Sequence, residues 1–417
     1  VKGDKGATFA SVLTPEQQIV LDEKELEKAA CCNLSEAFET SPDVDVVYND
    51  AVTGAKQIRM LGLDGVYTQI LSENVPGIRG LANTYGLQYT PGTWVQSIVV
   101  SKGAGTVVNG YESISGQIDV QIREPDESDK LYLNIYANHM GRAELNLNVA
   151  KSFTKKVSSI LMIHGDHFGR RMDPNGDSFI DMPLLTTFSA QNRWKFRFTD
   201  RWMGQISIKG IYEDRFGGQK NFQRSLPVME QDAYGVLQTT KRFEGFTKTG
   251  YIFKNGLNSS MGFTTQTTYH DQQGWYGRRQ YTGEEINFNT KLMFQTDIAN
   301  PAHTFKTGLS YMLDDFNERF DTLDNSRTEH VPGIFTEYTY KLRDVFTMVA
   351  GMRIDQHNLY GTFWTPRLHL RYSPIEKSAL RLTFGKGYRV ANIFAENTNI
   401  LISSREIIIE DELQPEV

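Results

Sequence analysis

From Leu131 to the C-terminus one pattern repeats: roughly eight to twelve residues of alternating polarity, followed by a turn or a polar loop. In "LYLNIYANH", Leu131, Leu133, Ile135 and Ala137 alternate with Tyr132, Asn134, Tyr136 and Asn138. "AELNLNVAK" sets Leu145, Leu147 and Val149 against Asn146 and Asn148, and "VFTMVAGMRID" sets Phe346, Met348, Ala350, Met352 and Ile354 against Thr347, Gly351, Arg353 and Asp355. Successive side chains of a strand point to opposite faces, so each run reads as a strand with one apolar and one polar face. Runs centred near residues 160, 195, 208, 251, 264, 292, 308, 337, 369 and 383 bring the expected number to about a dozen.

Strands of this length do not suit a soluble sandwich, whose strands average about five or six residues. They suit the roughly nine to eleven residues that a tilted strand needs to cross a bilayer. Only every second residue of such a strand meets lipid, which reconciles a hydrophobic content of only 39% with a membrane fold. No run of about eighteen apolar residues occurs, so a transmembrane helix is not expected. Aromatic residues near strand ends, Tyr132, Tyr136, Phe196, Phe198, Tyr338 and Tyr340, are expected to form interfacial girdles. Short turns such as "FTKK", "RFTDRW" and "YKLRDV" alternate with long polar connections such as residues 213–246, the asymmetry of an outer-membrane barrel. The balance of 50 Asp+Glu against 44 Lys+Arg gives no footprint for nucleic acid. No basic-then-apolar leader follows Val1, so the compartment is inferred from the fold.

Before about Glu124 the texture differs: short helical and strand signals alternate, as in a compact α+β domain. Within it, "VSKGAGTVVNGYESISGQIDV" places four glycines in a stretch that otherwise reads as strand. A phosphate-binding loop needs a helix directly after its last glycine, whereas here Ile118 and Val120 alternate with Gln117, Asp119 and Gln121, the period of a strand. The two adjacent cysteines, Cys31 and Cys32, suit a soft metal or a strained disulfide. They also suit small packed residues on a helix through "LDEKELEKAACCNLSEAF", and this second reading is preferred.

The stretch "VQSIVVSKGAGTVVNGYESISGQIDV" resembles the end of the plug domain of TonB-dependent outer-membrane receptors, whose pattern is V-E-R-I-E-V-x-K-G-P…Y-G-x-x-A-x-G-G-x-I-N-I. Val95, Ile98, Val100, Lys102, Gly103, Gly110, Gly116, Ile118 and Val120 fall on it, whereas Gln96, Ser97, Asn109 and Ser115 depart from it. "KQIRMLGLDGVYTQILSENVPGI" is similar to the family's I-R-G-x-x-x-x-Y-T-Q-V-L-x-D-G-V-P segment, with Arg59, Gly62, Tyr67, Thr68, Gln69, Leu71 and Pro76 in place. "LSEAFETSPDVDV" resembles its early helix and P-x-V-x-V strand. Downstream, Pro366, Arg367, Tyr372, Pro374, Arg381, Gly385, Gly387, Arg389 and Glu396 match a mid-barrel signature, with Ala391 where proline is usual.

The resemblance implies a mainly β chain: an α+β plug over residues 1–125 inside an antiparallel transmembrane β-barrel that begins at 126–417. The family's barrel has about 22 strands, which needs roughly 500 residues after the plug. About 290 follow it here, so about half the barrel is expected in this chain. No TonB box is recognisable near Val1; it is expected upstream or lost. The glycines Gly103, Gly105, Gly110 and Gly116 are then structural, needed where the plug's last strands turn tightly within the barrel. Arg59 and Lys102 join them as structural plug positions.

The implied function is active import across the outer membrane of a Gram-negative bacterium, driven by the TonB–ExbB–ExbD complex. The ligand class is a siderophore, haem, cobalamin or another metal chelate. The alternatives are a SusC-like glycan or peptide importer with a surface lipoprotein, and a non-transporting adhesion or assembly barrel. No catalytic constellation and no cofactor are expected. The plug apices "GVYTQ" and "GLANTYGLQY" are the expected ligand surface, with Tyr67, Thr68, Gln69, Asn83, Tyr85, Gln88 and Tyr89 supplying aromatic faces and hydrogen-bonding groups. Those apices carry no Arg or Lys apart from Arg79 at the margin, which favours a neutral or weakly charged chelate over a polyanion. Three weaker features are noted. "DPNGDSFID" departs from a calcium loop at Ser178 and Leu184 and reads as a polar loop. His164 and His167 are three apart and fall on opposite strand faces. His270 is read as an outward residue of a long loop near Trp275, and only as a weak metal ligand.

Overall fold

The computed structural model describes residues 8–10, 17–28, 33–39, 41, 43–254, 256–375, 378–403, 405–410 and 413–417. Cys31 and Cys32 lie outside the described residues.

The first part of the chain contains β1 (Thr8–Ala10), β2 (Gln17–Leu21), α1 (Glu23–Lys28), α2 (Leu34–Ala37), β3 (Asp45–Tyr48), β4 (Lys56–Arg59), β5 (Thr68–Ser72), β6 (Val75–Ile78), β7 (Val95–Lys102) and β8 (Gly116–Ile122). Six of these strands form one sheet in the order β1-β2-β7-β8-β5-β6, while β3 and β4 make a separate hairpin. Asn33 caps α2, its side-chain oxygen accepting from Ser35 N at 3.0 Å. Leu21, Leu34, Phe38, Ile58, Trp94 and Ile98 are among the side chains of the main buried cluster. Each such burial contributes on the order of 1.5–3 kcal/mol, enough for a small sheet to hold its shape.

The glycine-rich stretch is the connection of the β7–β8 hairpin. Lys102 pairs with Gly116, and the thirteen-residue loop between them folds back so that Gly103 N donates to Ser115 O at 2.8 Å. Gly110 takes φ +117°, a conformation that side chains disfavour. At Gly116 a Cβ would stand 2.7 Å from the Ser101 carbonyl oxygen and 2.6 Å from Met60 Cε.

From Leu131 onward thirteen long strands run antiparallel in chain order: β9 (Leu131–Ala137), β10 (Arg142–Thr154), β11 (Val157–Phe168), β12 (Leu184–Arg197), β13 (Trp202–Gly218), β14 (Gly235–Ile252), β15 (Ser260–Tyr276), β16 (Arg279–Ile298), β17 (Asn300–Phe320), β19 (Arg327–Leu342), β20 (Phe346–His357), β21 (Gly361–Tyr372) and β22 (Leu380–Gly385). A two-residue strand, β18 (Leu323–Asp324), pairs with β17 and completes a 14-stranded sheet whose ends are β9 and β22. The alternation has the sense a membrane demands. On β10, Leu145 is 43% exposed on the outer face, while Glu144 and Asn146 are 5% and 0% exposed against the plug. Plug contacts reach from Asn146 on β10 to Arg367 on β21, so the sheet curves around the plug.

Two expectations change. Tyr132 and Tyr136 pair with Asn148 and Glu144 and share their inner face, so they are not part of an outer girdle. A phenol is aromatic yet hydrogen-bonding, and strand period, not residue type, decides its side. Phe196, Phe198, Tyr338 and Tyr340 do lie on the outer face or at its edge, Phe196 stacking on Trp194 and Phe198. The connection expected over 213–246 is also much shorter: β13 continues to Gly218 and β14 starts at Gly235, because these strands outrun the membrane. The longest connections between strands, 169–183 and 219–234, lie at one end of the sheet, and the short turns 155–156, 198–201 and 343–345 lie at the other.

Candidate functional site

The site is built where the plug's loops meet the long-loop end of the sheet. Polar side chains of the inner strand faces reach the plug there. Arg215 on β13 donates to Thr53 O at 2.6 Å and also bonds the Gln88 side chain. Glu285 on β16 accepts from Leu81 N at 2.9 Å. Arg79 of the plug pairs with Asp314 on β17 and, at 3.0 Å, with Glu112.

After β22 the chain enters the mouth of the barrel and crosses the plug. There Asn83 Nδ2 donates to Glu396 Oε1 at 3.1 Å, Thr84 bonds Ala395 O, and Asn49 Nδ2 donates to Thr398 Oγ1 at 2.8 Å. Phe394 and Leu401 anchor this segment among Val236, Tyr276, Tyr281 and Phe320, at the long-loop ends of three neighbouring strands and of β14. Arg389 pairs with Glu396 and, at 2.8 Å, with Glu416. Burial holds the Glu396 carboxyl well above the usual carboxylate range, at about 7, against the opposing pull of Arg389.

Two of the cavities between plug and sheet bear on this site. A small one beneath the crossing segment is lined by Thr68, Gln69 and Asn83, together with Arg79, Glu112, Arg389 and Glu396. A larger one of about 650 Å³ lies between the tip of the β3–β4 hairpin and the inner faces of β10–β13. Tyr48, 68% exposed, and Gln88 line it with Lys56, Arg142, Arg215, Glu36, Asp50 and Asp166. Its cations are matched by acids: Arg142 with Asp166 at 2.8 Å, Arg215 with Glu213 at 3.1 Å, and Lys56 with Glu39 at 2.8 Å.

The sequence-derived residues fall into distinct environments. Tyr67 ends a 3₁₀ turn and lies half-buried under the Arg389 guanidinium, 5.2 Å from the ring centre. A hydrogen bond to Glu416, then burial, push its phenol above the ordinary value. Thr68 and Gln69 are buried on β5: Thr68 Oγ1 is 2.8 Å from Ser115 Oγ, and Gln69 donates to Asn109 O at 2.9 Å and accepts from Gln117 at 2.6 Å. Tyr85 is fully buried beneath Arg215, 4.8 Å from its ring centre, and Tyr89 is buried beside His270. Burial drives both phenols upward from their ordinary value. Asn83 and Gln88 stay half-buried at the cavities. Arg59 pairs with Asp64 at 2.9 Å, and Lys102 pairs with Asp43.

His270 corrects the sequence reading: it lies within β15, points inward with no exposure, and meets Arg242 at 3.0 Å. His164 is buried and His167 exposed, as opposite faces require. Asp173, Asn175 and Asp177 spend their side chains on nearby backbone N–H groups. Among the described residues no group of three or more His, Cys, Asp or Glu is placed to hold a metal ion.

Residues 12–117 match the family model described as the TonB-dependent receptor plug domain. Residues 128–416 match that of the TonB-dependent receptor-like β-barrel. The chain belongs to the TonB-dependent receptor family. It is 18% identical over 389 residues to the vitamin B12 transporter BtuB of Vibrio vulnificus, covering 91% of this chain and 61% of that protein. The siderophore receptor PirA of Acinetobacter baumannii superimposes with a TM-score of 0.70 at 15% identity, covering 90% of this chain and 61% of that one. A mutant ferric enterobactin receptor of Pseudomonas aeruginosa in complex with enterobactin does so with 0.70 at 13%, covering 92% and 64%. The chain thus spans about six tenths of the length of these relatives. Family members are outer-membrane β-barrels, in which the short turns face the periplasm and the long loops the outside.

Sequence reasoning missed Tyr48 and the role of the segment after β22. Tyr48 precedes an Asn-Asp turn, and an aromatic beside such a turn is a readable signal for an exposed ring. Arg389 and Glu396 were visible as matches to a pattern, but Asn83, which donates to Glu396, is 313 positions away from it.

Proposed function

We propose that this receptor imports a neutral or weakly charged metal chelate across the outer membrane, powered by TonB–ExbB–ExbD, with a plug over residues 1–125 and a barrel from 126 onward. The observation that carries the reading is the outward cavity of about 650 Å³, in which the Tyr48 ring is exposed while Gln88 is held by Arg215 and the neighbouring cations are paired with acids. An exposed ring suits stacking on a ring-bearing ligand, whereas a polyanion requires unmatched cations. Thr68, Gln69 and Asn83, which line the second cavity, form the next contact layer, Tyr67 stands beside it under Arg389, and Tyr85 and Tyr89 support it from within. The names of the relatives, a vitamin B12 transporter and siderophore receptors, support a chelate as the class. The role assigned is transport, with no catalysed reaction.

The test is to purify the receptor from its native outer membrane and identify what co-purifies by mass and metal analysis. A chelate of low net charge whose affinity is insensitive to salt is expected. A tri-anionic siderophore whose affinity collapses at high salt overturns the reading of ligand charge. Uptake that persists without the energy-coupling complex overturns transport.

A further inference from the structure

The periplasmic end of β10–β13 carries a feature that ligand import does not use. On the outer face, Phe153 stacks on Trp194 with centroids 5.4 Å apart and planes 9° apart. Trp194 continues onto Phe196 at 6.3 Å and 11°, and Phe196 onto Phe198 at 5.9 Å and 8°. Trp202 closes the row 4.7 Å from Phe198. The arrangement is fixed by local chemistry: Trp194 Nε1 donates to Asn192 at 2.5 Å, and Trp202 Nε1 donates to Thr249 Oγ1 at 2.9 Å. Both indole donors are therefore satisfied, and the ring faces are left for acyl chains.

Directly beyond the rings lie the turns 155–156 and 198–201, brought side by side by a 2.7 Å bond from Arg197 N to Lys156 O. Each turn is braced by a threonine, Thr154 Oγ1 accepting from Lys156 N and Thr199 Oγ1 from Arg201 N. They hold Lys155, Lys156 and Arg201, while Lys151 lies on the outer face of β10 and Arg197 ends β12 with the parity of the inner Arg193 and Lys195; Asp200 is the single acid in residues 151–156 and 197–202. None of the five cations has an ion pair among those found in the described residues, and Lys151 Nζ sits 5.0 Å from the Phe153 ring centre. The nearby acids Glu124 and Asp126 are on the inner side, committed to Arg193 and Lys195. A local excess of four positive charges thus stands on a chain of net charge −6. Of the other turns at this end, 341–344 combines Lys341 and Arg343 with Asp344, and 253–259 carries Lys254.

We propose that this corner is a binding site for the headgroup of an anionic phospholipid in the periplasmic leaflet. The stacked rings seat the upper acyl chains, and Lys151 with the cations of the two turns meets the phosphate, a combination that zwitterionic lipid rewards less. A soluble periplasmic protein suits the corner poorly, because the rings lie within the lipid-facing belt.

The experiment compares phosphatidylglycerol with phosphatidylethanolamine on the detergent-purified receptor by native mass spectrometry. The wild type is expected to retain phosphatidylglycerol about tenfold over phosphatidylethanolamine. A variant with Lys151, Lys155, Lys156, Arg197 and Arg201 all changed to Gln is expected to show parity, while Lys341→Gln with Arg343→Gln keeps the preference. Phosphatidylglycerol with brominated acyl chains should quench tryptophan emission more than the brominated ethanolamine lipid does. That excess should disappear in Trp194→Phe with Trp202→Phe, a readout that leaves the turns unchanged. Equal retention of both lipids by the wild type, or an undiminished preference in the five-site variant, overturns the proposal.

Discussion

Arg193, on the inner face of β12, donates to Glu73 in the β5–β6 turn of the plug at 2.9 Å, with side chains 3% and 8% exposed. Glu73 also accepts from Ile122 N at 3.1 Å, so one carboxylate ties the barrel wall to two plug strands. Removing Arg193 leaves Glu73 a buried charge without its cation, at a cost of about 3–5 kcal/mol, whereas removing Glu73 leaves Arg193 its second acid, Glu124 at 3.3 Å, and should cost less. Arg193→Met or Glu73→Gln should therefore loosen the plug, seen as faster amide hydrogen exchange on β5 and β6. The double change Arg193→Met with Glu73→Met should recover part of the loss. Unchanged exchange in both single variants would show that the plug is held by its other contacts.

The glycines of the plug divide by what surrounds them. At Gly116 an added methyl meets the Ser101 carbonyl oxygen at 2.7 Å, and that oxygen is fixed in the β7–β8 ladder. At Gly62, φ is +77° and nothing lies within 4 Å of the added atom. Gly116→Ala is expected to destabilise the plug by about 2–3 kcal/mol through overpacking. Gly62→Ala should cost about 1 kcal/mol, from backbone conformation alone. Denaturant melts followed by a plug-specific probe measure both. Truncating Met60 should not rescue Gly116→Ala, since the carbonyl remains.

Tyr48 and Tyr85 separate contact from support. Tyr48 is largely exposed in the larger cavity, and Tyr85 is enclosed beneath Arg215. Tyr48→Ala should weaken ligand binding about tenfold, the worth of one stacking contact, without changing the melting transition. Tyr85→Ala should instead destabilise the plug by about 3–5 kcal/mol, with binding lost only as folded protein is lost. Binding isotherms and melting curves on the same preparations distinguish the two, and a normal isotherm for Tyr48→Ala would remove that residue from the site.

Much of the barrel was legible because a strand's period of two survives any change of residue type: Leu145, Leu147 and Val149 declare an outer face by themselves. Judgement by residue type failed where that period was set aside, as with Tyr132 and Tyr136. His270 was misplaced because β15 runs on beyond the bilayer, where its outer face need not be apolar and the sequence reads as loop. The tight β7–β8 connection was readable from its glycines, since few residues tolerate those conformations. What joins distant segments was not readable: Asn83 with Glu396 or Arg193 with Glu73 depends on which strands face which loops, and no local pattern encodes that.

Glu396 offers a test of the segment that crosses the plug. Its carboxyl is buried against Asn83 and Arg389, and burial raises it to about 7, above the ordinary value of 4.5. Between about pH 4.5 and 7 the folded state consequently binds more protons than the unfolded state. The contribution of the neutral carboxyl is fully present below the lower value and is lost as pH rises through the upper one. Hydrogen exchange over residues 387–402 should be slower at pH 5 than at pH 8, after correction for intrinsic rates. Glu396→Gln keeps an uncharged acceptor for Asn83 and should abolish that difference, whereas Glu416→Gln, at the exposed end of the same cluster, should keep it. A pH difference that persists in Glu396→Gln would assign the titration to another group.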